Sequence, residues 1–153
     1  MCVSSVDELG AIFIDSFLDV ISTSTGIMFD AAAPENDTEF LDMTSVICLN
    51  GSKQGMLFIS AQDNTAKELC SYMTGISKDE ATKEDCIDAM CEFANMTAGS
   101  AKLRLGNSEY LFSLSSPFVL EGKEMSITTK KKVHVISTVF RNNELEVKMK
   151  LMY

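Results

Sequence analysis

After Thr82 the chain reads KEDCIDAMCEFANMTAGSAKLRL as far as Leu105, without a proline and with a single glycine. At about 100° per residue, Ile87, Met90, Ala94, Ala98, Ala101 and Leu105 fall in an apolar stripe about 80° wide. This is the signature of a long amphipathic helix. Thr82 and Asp85 are placed to cap its start, and Gly106 to end it. Such a helix is about 35 Å long, and its stripe demands a packing surface of similar extent.

A second set, Asp88, Glu92, Asn95, Gly99 and Lys102, falls within about 80° on a different face. Asn and Gly are poor helix formers, with Gly costing roughly 1 kcal/mol relative to Ala inside a helix. Their presence on a face that the core does not use calls for a reason. Gly99 in particular leaves a bare spot where another backbone or a bulky group can approach closely.

The remaining segments supply the packing surface. Val6, Leu9, Ile12, Phe13, Phe17, Val20 and Ile21 recur at helical spacing from Ser5 to about Ser24, with Ser5 and Glu8 as a capping pair. Residues 27–39 read as irregular or partly extended, with a turn at Pro34 and Asn36-Asp37. Thr44 to Leu49 and Met56 to Ile59 form a hairpin around Asn50-Gly51. Ser60 and Asp63 open a second helix that Gly75 closes.

After Gly106 the pattern turns strand-like at Tyr110 to Leu114, Phe118 to Leu120, Met125 to Thr129, Val133 to Phe140 and Leu145 to Met152, the last two joined at Asn142-Asn143. In the final strand Leu145, Val147, Met149 and Leu151 alternate with Glu144, Glu146, Lys148 and Lys150, so one face is buried and the other wet. The expectation is an α+β fold with two layers, a mostly antiparallel sheet packed against long helices. No linker or shift of composition divides residues 1–153, so they read as a single domain.

With 22 acidic against 13 basic residues, the net charge of −9 argues against nucleic acid or an anionic membrane as partner. The basic run Lys130-Lys131-Lys132 borders a strand and reads as a solvated edge. Cys2, Cys48, Cys70, Cys86 and Cys91 contain no C-x-x-C pair, so neither a disulfide framework nor a Cys-type metal site is expected, and most read as small buried hydrophobes. The apolar run after Glu8 is broken by Asp15 and Asp19, which makes neither a signal peptide nor a membrane span. A cytoplasmic protein is the expectation. The lone His134 reads as a sheet residue, and Cys86 and Cys91 do not share a helix face.

E-x-x-N is a weak motif by itself, but here an Asp precedes it by four residues, a Gly follows it by four, and the whole lies on an amphipathic helix. The block DAMCEFANMTAGSAKLRL, followed by Pro117, resembles the signature of the CheC/CheX/FliY family of chemotaxis phosphatases. The first helix, GMLFIS, AKELCSYMTG and PFVLEG fall in the order that family has. Members of the CheC type carry two such helices and those of the CheX type one. Here the first helix offers Glu8 but Ala11 where an Asn is needed, so the resemblance is to the CheX type.

That resemblance implies a phosphatase acting on the phospho-aspartate of a CheY-like receiver domain. Glu92 would pair with the receiver's lysine and Asn95 would hold the attacking water. Beside them, Asp88 reads as a partner contact, a local cap or a solvated residue, Gly99 as a place for close approach of the partner, and Lys102 as a peripheral docking contact or a favourable charge near the helix C-terminus. The resemblance further implies a homodimer and no metal or organic cofactor in this chain, the receiver bringing its own Mg²⁺. Two other classes stay open: a non-catalytic receiver-binding adaptor or flagellar-switch-like module, and a structural domain in which the polar row is only solvated surface.

Overall fold

A computed structural model of the chain describes residues 3, 5–35 and 39–153. The elements run α1 (Val6–Thr25), β1 (Asp30–Ala32), β2 (Met43–Gly51), β3 (Gly55–Ala61), α2 (Asp63–Thr74), α3 (Lys83–Leu105), β4 (Phe112–Leu114), β5 (Phe118–Glu121), β6 (Val135–Asn142) and β7 (Leu145–Met152). The expected turn at Asn36-Asp37 and Cys2 lie outside the described residues.

Every strand pairing is antiparallel. The sheet order is β1-β6-β7-β3-β2-β4, with β5 also pairing β2. Alternation sends Met43, Ile47 and Leu49 of β2, Leu57 and Ile59 of β3, and Val147, Met149 and Leu151 of β7 into one core with the three helices. Aromatic contacts tie α1 into it: Phe17 lies 4.2 Å from Phe140 of β6 and Phe13 lies 6.0 Å from Phe112 of β4, centroid to centroid. The expected two-layer α+β architecture is the one observed.

The opposite face of the sheet is not simply wet. Phe40, Val46 and Phe58 form a second buried cluster there, with Met56, Met125 and Met152 against it. The Lys150 ammonium sits 5.0 Å from the Phe40 ring centre, and Lys148 donates to the Glu39 carbonyl. Lys150 therefore lays its aliphatic stem toward this cluster, with its charge at the rim. The same cluster corrects the reading of residues 125–129, which form no strand. Met125 accepts a backbone hydrogen bond from Phe40 and packs on the cluster, so that segment is a cover crossing the sheet.

Three local expectations shift for equally specific reasons. Ser60 does not cap α2: it is paired within β3 opposite Thr44, and the two buried hydroxyls hydrogen-bond at 2.8 Å. The helix starts after Gln62, which makes no side-chain cap, and the Asp63 amide donates to the Asp42 carboxylate. Asn50-Gly51 is not the hairpin turn but the end of β2, where these residues pair with Ser113 and Phe112. A Cβ on Gly51 would overlap the Leu111 carbonyl, so glycine serves close approach. The β6–β7 turn sits one residue later than expected, because Asn142 still pairs with Leu145 and Asn143 takes the left-handed conformation.

The other expected caps are as read. Ser5 accepts from the Glu8 amide and Gly75 closes α2 in left-handed geometry, while α1 runs to Thr25 and is closed the same way by Gly26, a residue the sequence reading did not single out. Thr82 and Asp85 form a reciprocal capping box. Hydrogen bonds from Thr82 hold the Asp85 carboxyl below its ordinary range.

Candidate functional site

The buried side of α3 is broader than the expected stripe. Cys86, Ala89, Phe93 and Thr97 join Met90, Ala94, Ala98, Ala101 and Leu105 in the interior, while Ile87 is only half-buried. Half of the helix cylinder is thus committed, because α3 touches α1 and α2 as well as the strands beneath it. Alanines at 89, 94, 98 and 101 keep those contacts close. Thr82 fixes its start, and Arg104 makes an ion pair with Asp19 of α1 near its end. Since Ser24 of α1 faces Met96, α1 and α3 run antiparallel side by side.

What remains free is a narrow outward arc. Asp88, Glu92 and Asn95 are exposed there, with Gly99 and Lys102 partly exposed. Glu92 and Asn95, three residues apart, are neighbours with Cβ atoms about 5–6 Å apart. No hydrogen bond or ion pair to a described residue engages either side chain. The structure therefore brings the five expected residues to one surface and leaves the carboxylate and carboxamide available. Lys102 lies about 15 Å along the axis from Glu92, which sets it apart from them.

Gly99 meets nothing within 4 Å of where a Cβ would stand, and its backbone is ordinary right-handed helix. Among the described residues, nothing requires a glycine here. Gly99→Ala is accordingly expected to raise stability by about 0.5–1 kcal/mol. Thermal melts check this: Tm should rise by about 1–4 °C, and a fall would mean that the glycine has an internal role.

Cys86 and Cys91 are not poised as nucleophiles. Burial, with the Cys70 thiol beside it, pushes Cys86 up to about 11, and burial together with the Asp88 charge pushes Cys91 up as well. Both stay protonated at neutral pH. His134 is exposed just before β6, its backbone exchanging hydrogen bonds with Tyr153. On α1, Glu8 and Ala11 are both exposed, but a methyl group offers no hydrogen bond in place of an amide. One side chain escaped the sequence reading: Leu103, 86% exposed, lies on the same arc as Glu92. Its helical angle was the available signal.

A seven-stranded antiparallel sheet backed by three helices defines an α+β protein, and its fold is that of CheC/CheX-like proteins. A CheC-like superfamily protein from Shewanella sp. PV-4 superposes with a TM-score of 0.82 at 24% identity, covering 97% of this chain and 98% of that one. A chain of the CheX–CheY–BeF₃–Mg²⁺ complex from Borrelia burgdorferi superposes with a TM-score of 0.78 at 19% identity, over 92% of this chain and 94% of that one. The sequence model of the family described as chemotaxis phosphatase CheX matches residues 43–141, and the chain belongs to that family. The CheY-P phosphatase CheX of Thermotoga maritima is 28% identical over 85 residues. That match takes in 56% of this chain and spans about half (55%) of the relative's length. No helix among the described residues is long and apolar enough to cross a membrane.

Proposed function

We propose that this protein is a phosphatase for the phospho-aspartate of a CheY-like receiver domain, with Asn95 positioning the attacking water and Glu92 pairing with the receiver's active-site lysine. The observation that carries this reading is the exposed and unengaged pair Glu92 and Asn95 on a helix whose opposite half is locked into the core. Family membership and the CheY-P phosphatase among its relatives support the reaction class.

An acyl phosphate is already labile, and the receiver supplies Mg²⁺ and a lysine to neutralise the phosphoryl oxygens. What it lacks is a placed nucleophile. The Asn95 oxygen accepts from the water while its nitrogen donates nearby, with no change of protonation. The water oxygen bonds to phosphorus, the bond to the aspartyl oxygen breaks, and carboxylate and inorganic phosphate result. A carboxylate in place of the amide would set a negative charge against the phosphoryl group. A hundredfold acceleration requires about 2.7 kcal/mol, within what orientation of a reactant supplies. No metal or organic cofactor in this chain enters the reaction.

The test is the decay of a receiver phosphorylated by a small-molecule phosphodonor, followed with and without substoichiometric protein. Several turnovers per molecule are expected. Unchanged or slowed decay across the receivers of the same cell would make the protein a binder rather than an enzyme. The same reading carries a homodimer joined through a sheet edge, which light scattering checks.

A further inference from the structure

Leu103 is the most exposed of the large hydrophobic side chains among the described residues. A single exposed leucine says little by itself; its position says more. It stands eleven residues after Glu92, three helical turns, which brings it back to within about 20° of the same direction and about 16 Å along the axis. One turn before it lies Gly99, over which the space is open. Arg104, its neighbour, points the other way into its ion pair with Asp19, so the last turn of α3 is held and Leu103 is turned outward on a fixed element. The outward arc thus reads, from its N-terminal end, acidic at Asp88 and Glu92, amide at Asn95, bare at Gly99 and apolar at Leu103.

We propose that Leu103 is the apolar anchor of the receiver interface: it packs on an apolar patch of the receiver about 12 Å along the helix axis from the phosphorylated aspartate that Asn95 meets, and a receiver side chain fills the hollow over Gly99. This rests on the receiver-phosphatase reading and adds to it a residue that acts on affinity. The division of labour is physical. Glu92 and Asn95 are polar groups that lose water on docking and gain little net affinity. A leucine that leaves water against an apolar surface contributes binding in the ground state and transition state alike, which lowers KM without raising kcat.

Steady-state dephosphorylation of the same receiver by the full chain, with wild type, Leu103→Ser, Leu103→Met and Asn95→Ala compared, tests the proposal. Leu103→Ser is expected to raise KM roughly ten- to thirtyfold with kcat within about twofold, since truncating a docked leucine removes most of its burial. Leu103→Met should stay within about threefold of wild type, because it keeps the apolar volume. Thermal melts of both should match wild type, as an exposed side chain holds up nothing in the fold. An unchanged KM in Leu103→Ser, while Asn95→Ala still abolishes turnover, would overturn the anchor and leave the phosphatase reading standing. A drop in kcat at constant KM, or loss of a dimer by light scattering in Leu103→Ser, would overturn it too, by assigning the residue to the chemistry or to self-association. Absence of turnover by the wild type would end both readings.

Discussion

Asn95→Ala is expected to lower the protein-catalysed loss of phosphate from the receiver at least a hundredfold while raising, not lowering, the stability of the fold. The two effects have separate physical origins. Asn95 is exposed and makes no contact that the core needs, so truncating it forfeits only what the carboxamide does outside the chain. Alanine is a better helix former than asparagine by about half a kcal/mol, which should lift Tm by about 1–2 °C. Few substitutions remove an activity and stabilise the scaffold at once, and this combination is hard to obtain from misfolding. Asn95→Asp should lose turnover as well, because its carboxylate would face the phosphoryl oxygens. Receiver decay measured beside melting curves reads both effects; parent-rate decay with Asn95→Ala would remove Asn95 from the mechanism.

The largest effect on stability should come from two residues earlier on the same helix. Phe93 is about 160° from Asn95 around the axis and 1% exposed, among the largest fully buried side chains. Phe93→Ala leaves a cavity where α3 meets its neighbours and is expected to cost about 3–5 kcal/mol. Against a typical domain stability of about 5–15 kcal/mol that is a severe loss, with Tm falling by about 6–20 °C. Below its own melting transition the variant should still turn over receiver, because the outward arc is unchanged in composition. Denaturant unfolding monitored alongside receiver decay separates the two: a variant of wild-type stability would show that the site collapses around the missing ring, contrary to the close packing of α3.

Most of α3 was legible from the chain. The stop at Gly106, the Thr82–Asp85 capping box and the angular separation of the core stripe from the row at 88, 92, 95, 99 and 102 follow from helical geometry and short-range hydrogen bonds, both local. The hairpin of β2 and β3, the closure of α2 at Gly75 and the alternation of β7 were readable for the same reason. Apart from the one-residue shift of the β6–β7 turn, the misreadings among the strands and at the start of α2 involve partners distant in sequence. Ser60 looks like a cap until Thr44 lies across from it, and Asn50-Gly51 looks like a turn until β4 pairs with it. Residues 125–129 look like a strand until Phe40 claims Met125.

The sequence by itself determined which residues share a face of α3 and where that helix starts and stops, because a helix capped by its own residues is set by neighbours within four positions. Tertiary structure decided which of those faces stays open. Packing between α1, α2 and the sheet consumed half of the α3 cylinder, more than its hydrophobicity announced, since alanine, threonine and cysteine are small enough to be buried without being strongly apolar. Among the described residues, the arc left over carries Glu92 and Asn95 without hydrogen-bond or ion-pair partners, and Leu103 stands exposed two to three turns further along the same side.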